Sequence, residues 1–237
     1  MHIPNGFLDP KTSAGAAFAA AGVLGYCVAK ARQALSAAVP ESVLAGASNI
    51  SCRIRIGSKK LISTFAENHL MKMGAVGSLV FAAQMFNFPV ANGTSGHLLG
   101  GIIAAVALGP FSGSIVIAVI LAVQSLFFGD GGITALGANI LNMAVIGTLA
   151  SYYIYYVICR IFKHQNIGIA LASFFSVLLA SIACALEIAA SGIIELGNIL
   201  PAMVSVHSRI GIAEAILTVM ALGLLSSAKF DLEGKLE

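Results

Sequence analysis

Seven apolar stretches, at roughly residues 12–29, 70–90, 97–109, 112–128, 138–159, 167–188 and 207–227, leave this chain little choice of solvent. Several reach or approach the ~20 residues that cross a bilayer as a helix. In hydrocarbon every backbone N–H and C=O must be satisfied within the protein, which a helix does by itself. Charged residues are only 10% of the chain and hydrophobic ones 58%, against about a quarter charged in soluble domains. The expectation is an all-α, polytopic membrane bundle of about seven transmembrane helices, forming one domain over residues 1–237. The third stretch is short for a full span. It is expected to be tilted, partial or broken, with its ends covered by protein. Gly109-Pro110 and Ser112-Gly113 mark a tight turn into the fourth.

Lys and Arg set the orientation. With seven spans, one side collects Lys30, Arg32, Arg53, Arg55, Lys59, Lys60, Lys72, Arg160, Lys163, Lys229 and Lys235, and the other only Lys11 and Arg209. The richer side is expected to be cytoplasmic, in a prokaryotic cell membrane. The C-terminus then lies inside, and the N-terminus, the 91–96 and 129–137 loops and the 189–206 segment lie outside. The polar stretch 31–69 reads as a cytoplasmic loop carrying a basic cluster. Residues 1–11 lack the basic start and apolar core of a cleavable leader, so Met1 is expected to be retained. Cys27, Cys52, Cys159 and Cys184 form no C-x-x-C pair and read as small buried residues. The Asn49-Ile50-Ser51 and Asn92-Gly93-Thr94 sequons read as chance matches.

The start, Met1-His2-Ile3-Pro4-Asn5-Gly6-Phe7-Leu8, carries the clearest chemistry. The Met1 amine, the deprotonated His2 amide and the His2 imidazole can close a five- and a six-membered chelate ring on one ion. Three in-plane nitrogens suit Ni(II) or Cu(II). His97 follows Asn92-Gly93-Thr94-Ser95-Gly96 and opens an apolar run, where an ionisable group is costly unless used. His69 and His164 look like ordinary interface residues, and His207 like a polar lock between helices. In the turn-rich segment Phe127–Asn139, Asp130 and Asn139, with Asn142 beyond, could orient a ligand imidazole. Ala17, Ala21 and Gly25 form a small-residue stripe fit for close contact with another helix or a partner. Glu187, Glu195 and Glu214 could form a proton relay. The chain has no G-x-x-x-x-G-K-[ST] phosphate loop, so it is not expected to hydrolyse ATP or to act as an enzyme.

Taken together, the first eight residues resemble the N-terminal loop of the CbiM/NikM family, the substrate-binding (S) components of energy-coupling-factor ABC importers for cobalt and nickel. Three further segments resemble its signatures. They are Phe81–Pro89 with Gly93-Thr94-Ser95-Gly96-His97-Leu98-Leu99-Gly100-Gly101, Gly129-Asp130-Gly131-Gly132 through Asn142-Met143, and Ile210-Gly211-Ile212-Ala213-Glu214-Ala215. The resemblance covers about residues 1–30 and 70–227. It implies seven helices, an N-terminal loop tucked inward, and a metal held by Met1, His2 and His97. Asn87, Thr94, Ser95, Asp130 and Asn139 are then candidates for supporting those ligands. It also implies a transmembrane coupling subunit, two cytoplasmic ATPases and a small accessory membrane protein as partners. Asn5 departs from the Asp common in the family, and the 31–69 stretch is longer than usual.

The reading is an S component that captures Ni(II) or Co(II) outside, with nickel favoured by planar nitrogen and with no organic cofactor. The rivals are a proton-coupled secondary transporter using the three glutamates, and a membrane assembly subunit that binds no substrate. An S component specific for a vitamin would leave Met1-His2 unexplained.

Overall fold

The protein is described by a computed structural model that covers residues 2–37, 52–89, 95–228 and 230–233, with the backbone alone at 37, 52–65, 87–89 and 95. Helix α1 spans Pro10–Ala37. Its start is fixed by Asp9, whose carboxylate accepts from the backbone N–H groups of Lys11 at 2.9 Å and Thr12 at 3.2 Å, and from the Thr12 hydroxyl. Asp before Pro is the expected N-terminal pair, since the first N–H groups have no helical acceptor and Pro has none to leave unpaired. Helix α2 spans Cys52–Gln84, so the 31–69 stretch is helical at both ends rather than a loop throughout. Residues 38–51, with the Asn49 sequon, lie outside the described residues.

The second apolar stretch does not remain helical to residue 90. Strand β1 (Asn87–Pro89) pairs antiparallel with β2 (Ser95–His97), in the register Asn87↔His97, Phe88↔Gly96 and Pro89↔Ser95. The all-α expectation thus needs one small sheet. Pro89 removes a backbone donor and cannot sit inside a helix without breaking its ladder. The Asn92 sequon, in the connection, lies outside the described residues.

Helix α3 (Gly101–Leu108) is the short third segment, and all eight residues are buried. Helix α4 (Pro110–Val123) continues as a π-helix over Gln124–Phe128. Helix α5 (Leu136–Ile140) runs through a π-helix, Leu141–Ala150, into α6 (Ser151–Phe162). The π stretch shows in its side chains, since the hydroxyls of Thr148 and Ser151 reach back five residues to the carbonyls of Met143 and Ile146, both at 2.8 Å. Helices α7 (Gln165–Ala190) and α8 (Leu196–Ser227) complete the bundle. Helix α8 takes in Pro201 and starts well before residue 207, so part of the expected outer connection is helix.

Among the described residues five helical bodies, Pro10–Ser36, Pro110–Phe128, Leu136–Phe162, Gln165–Ala190 and Leu196–Ser227, are long and apolar enough to cross a membrane. Their outward faces carry bare apolar side chains such as Phe18, 86% exposed, and Leu224, 70% exposed, which only a lipid-like solvent tolerates in such numbers. Helix α3 is the hub. Its Ile102, Ala104, Val106 and Leu108 pack with Ile117 and Leu121 of α4, Met143, and Ile188 of α7. Small residues let the backbones close up, for a Cβ on Gly113 would stand 2.8 Å from Ala104 C and Ala105 N.

Sequence-distant groups sort to two ends of the bundle. At one end His69 bonds Glu233 and the Ser112 hydroxyl, both at 3.0 Å, and Lys72 pairs with Asp231 at 3.0 Å. Segments assigned to a common side by the Lys/Arg count therefore do meet. At the other end Gly132 N donates to Ile3 O at 2.8 Å.

Gly113→Ala is expected to cost on the order of 1–3 kcal/mol, because backbone rather than a flexible side chain must move. A lowered melting temperature in detergent checks this. Gly25→Ala, with nothing within 4 Å of its Cβ position, is the matched control.

Candidate functional site

The N-terminal segment enters the bundle as a strand without a strand partner, and a side-chain amide takes the partner's place. Asn139 Oδ1 accepts from Ile3 N at 2.8 Å, and Asn139 Nδ2 donates to Ile3 O at 3.3 Å. Gly132 N donates to the same carbonyl. Asn5 Oδ1 accepts from both Thr134 N at 3.1 Å and Thr134 Oγ1 at 3.0 Å. An oxygen acceptor is all that these bonds use, and Asn and Asp both supply one. Gly131 sits at φ +88, and its Cβ would lie 2.7 Å from His2 Nδ1. Only glycine gives both that backbone conformation and that clearance.

These contacts bury His2, 3% exposed, against His97, 0% exposed. The two imidazoles stack with centroids 4.6 Å apart and an interplanar angle of 27°. His2 Nε2 faces Asp130 Oδ2 at 3.7 Å, an electrostatic contact too long for a hydrogen bond. His97 Nδ1 donates to Leu98 O at 2.6 Å. A carbonyl only accepts, so that ring carries its proton on Nδ1 and presents a bare Nε2 lone pair.

The residues after His97 are held from three directions. Glu214 of α8 accepts from Leu99 N at 2.9 Å and Gly100 N at 2.6 Å. It places a carboxylate at the N-terminus of α3, where unpaired N–H groups and the helix dipole favour an anion. Gln84 Nε2 donates to Leu99 O at 2.6 Å, and Gln124 Nε2 to Gln84 Oε1 at 3.0 Å. Gly101 leaves no room beside the π-helix, since its Cβ would meet Gly147 O at 2.3 Å.

Burial is the main cause that lowers the His2 pKa to about 4, helped by the charge of the chain terminus and opposed by Asp130. Burial likewise drives His97 well below its ordinary value, followed by the terminus and His2. The Leu98 bond opposes this, and His207 adds a weaker lowering. Both rings are therefore neutral at pH 7, the form in which imidazole binds a metal. Met1 and Thr94 lie outside the described residues. Asn87 and Ser95 are placed by backbone in the hairpin, Asn87 directly opposite His97. Among the described residues no three His, Cys, Asp or Glu side chains converge on one centre, so an ion here needs nitrogen from the chain terminus or main chain as well.

Other expectations change. His207 is no lock between helices through its Nδ1, which donates to Met203 O one turn back at 2.8 Å. The glutamates make no relay: Glu214 holds α3, Glu187 accepts from Asn142 Nδ2 at 2.6 Å, and Glu195 is exposed ahead of α8. In α1, Ala16 and Ala20 are buried, while Ala17, Ala21 and Gly25 are exposed. The backbone at Ala17 still abuts Gly137, whose Cβ would lie 2.4 Å away. The roles of Gln84, Gln124 and Glu214 were not anticipated. A usable signal existed, because an amide or acid inside an apolar run is costly unless it has a partner.

The family model "cobalt uptake substrate-specific transmembrane region" matches residues 2–232. The chain belongs to the CbiM family. It is accordingly a multi-pass membrane protein. A protein of Archaeoglobus fulgidus described as a fused nickel transport protein, NikMN, is 33% identical over 98% of this chain and 67% of its own length. The cobalt transport protein CbiM of Thermosipho melanesiensis is 28% identical over 72% of this chain and 75% of its own. A crystal structure of a truncated transition metal transporter superposes with a TM-score of 0.78 at 28% identity, covering 96% of this chain and 99% of that one.

Glu214→Ala leaves two buried N–H groups unpaired, each worth about 1–3 kcal/mol. The expected result is a clear loss of thermal stability and faster hydrogen exchange at Leu99 and Gly100. Asn5→Asp keeps the acceptor oxygen and should shift stability by less than about 1 kcal/mol, whereas Asn5→Leu should expose the 1–8 segment to limited proteolysis.

Proposed function

We propose that this chain is the substrate-capturing S component of an energy-coupling-factor importer for Ni(II) or Co(II). The observation that carries the reading is the buried pair of neutral imidazoles, His2 and His97, 4.6 Å apart beside the chain terminus. The Met1 amine, the His2 amide and the His2 imidazole form one chelate, and His97 supplies the fourth nitrogen. Metal–nitrogen bonds of about 2 Å bring these groups to one centre. His2 binds through Nδ1, the nitrogen that closes a six-membered ring, and its Nε2–H turns to Asp130. That carboxylate would fix the ring and raise its donor strength. Asn139, Asn5 and Gly131 hold the segment in place, and Asn87 and Ser95 lie in the backbone of the hairpin that presents His97.

The N-terminus faces outward and the C-terminus inward, as the eleven-to-two Lys/Arg asymmetry supports. Seven helical segments form the membrane domain, and among the described residues five are both long and apolar enough for a full span. Four in-plane nitrogens favour Ni(II); Co(II) is accepted, and Cu(II) competes thermodynamically. Release inward is driven by partners, namely a coupling subunit, two ATPases and a small accessory membrane protein. The exposed Ala17, Ala21 and Gly25 face of α1 suits a close helix contact with one of them.

Two outcomes are expected. One extra residue before Met1 turns the amine into an amide, and binding of Ni(II) and Co(II) by calorimetry should fall at least 100-fold. Unchanged binding would exclude the chelate. The second concerns pH. Burial holds both imidazoles below their ordinary range, so protons compete mainly at the amine, whose ordinary pKa is about 7.7–8.0, and at the amide. Affinity should therefore fall at least tenfold per pH unit from 7 to 5. A flat response over that range would count against the site.

A further inference from the structure

The metal reading leaves one buried imidazole without a task. His207 lies on α8, 0% exposed, and α8 packs on β2, the strand that ends in His97. Its Nδ1–H is committed to Met203 O at 2.8 Å. The tautomer is thereby fixed as in His97, and Nε2 is a bare lone pair. Three imidazole nitrogens, His2 Nε2, His97 Nε2 and His207 Nε2, are buried with no hydrogen-bond partner among the described residues. The His2 atom has Asp130 opposite it. The other two are both acceptors.

An acceptor buried without a donor is costly, and a second such acceptor adds to the cost. The side-chain amides of this region make their bonds elsewhere: Asn139 to Ile3 O, Gln84 to Leu99 O, Gln124 to Gln84 and Asn142 to Glu187. A cation is what two buried, bare imidazole nitrogens can share.

We propose that His207 is a further metal donor, binding the ion through Nε2 as an apical nitrogen beside the proposed terminal chelate and His97. This rests on the metal reading above. It also bears on selectivity. A fifth nitrogen stabilises Co(II), which accepts five-coordination readily, more than low-spin Ni(II), which prefers the plane. His207 is then the residue that keeps cobalt competitive at a site whose other four nitrogens favour nickel.

The test uses the purified full chain with its native start. Loaded with Co(II), the protein should show three strongly shifted, exchangeable imidazole N–H proton signals by NMR, one for each bound ring. His207→Ala should remove one signal and lower Co(II) affinity at least tenfold, while Ni(II) affinity changes less than threefold. If that variant does not fold, His207→Gln replaces it, and the signal count in the native protein decides alone. Two signals in the native protein, or unchanged Co(II) affinity in the variant, would overturn the role of His207 and leave the chelate standing. Failure of the native protein to bind either ion would overturn both readings.

Discussion

The bond between the Glu214 carboxylate and the amides of Leu99 and Gly100 sets the position of much else in the bundle. Helix α3 is too short to be held by a membrane and too apolar to be held by water. Its first N–H groups need acceptors, and α8 supplies a carboxylate two turns beyond His207. Fixing Leu99 and Gly100 also fixes His97 two residues earlier. Gln84 grips the Leu99 carbonyl from the other side, so the segment is held by α2 and α8 together. The histidine thus stands on the rim of a rigid cap rather than on a free loop.

The N-terminal segment has the opposite problem. Residues 2–9, ahead of α1, have no regular secondary structure to satisfy their backbone, yet Ile3 is fully buried. Asn139 resolves this by imitating a strand neighbour, one side-chain amide meeting one peptide unit. The glycines at 131 and 132 let the 129–137 turn come close enough to finish the job. The arrangement buries His2 without a hydrogen bond to Nε2 and keeps its ring neutral, a state that suits a ligand better than a structural residue.

Much of this was legible in the sequence. Hydropathy located each apolar segment, and the helices observed differ from those ranges mainly at the ends. The departures have causes. Pro89 and the glycines beyond it favour a hairpin where apolar periodicity alone predicts more helix. Helix α8 starts early because Pro201 is tolerated within an apolar helix packed on α7. The partners of Gln84, Gln124 and Glu214 were not legible, since a polar residue in an apolar run announces that it has a partner but not which one.

By itself the sequence determined the solvent, the helical class and the sorting of charged segments to two ends, and it singled out candidate metal donors. Those follow from composition and local pattern, which depend on neighbours along the chain. The tertiary structure decided which of those groups meet. Ile3 and Asn139 are 136 residues apart and Leu99 and Glu214 are 115 apart, and no local rule links them. It also decided that the three glutamates stand separately and that His207 turns an unpaired nitrogen inward. Side-chain direction and hydrogen-bond choice are settled only when helices pack, because a buried polar group takes the partner that packing brings within 3 Å or so of it.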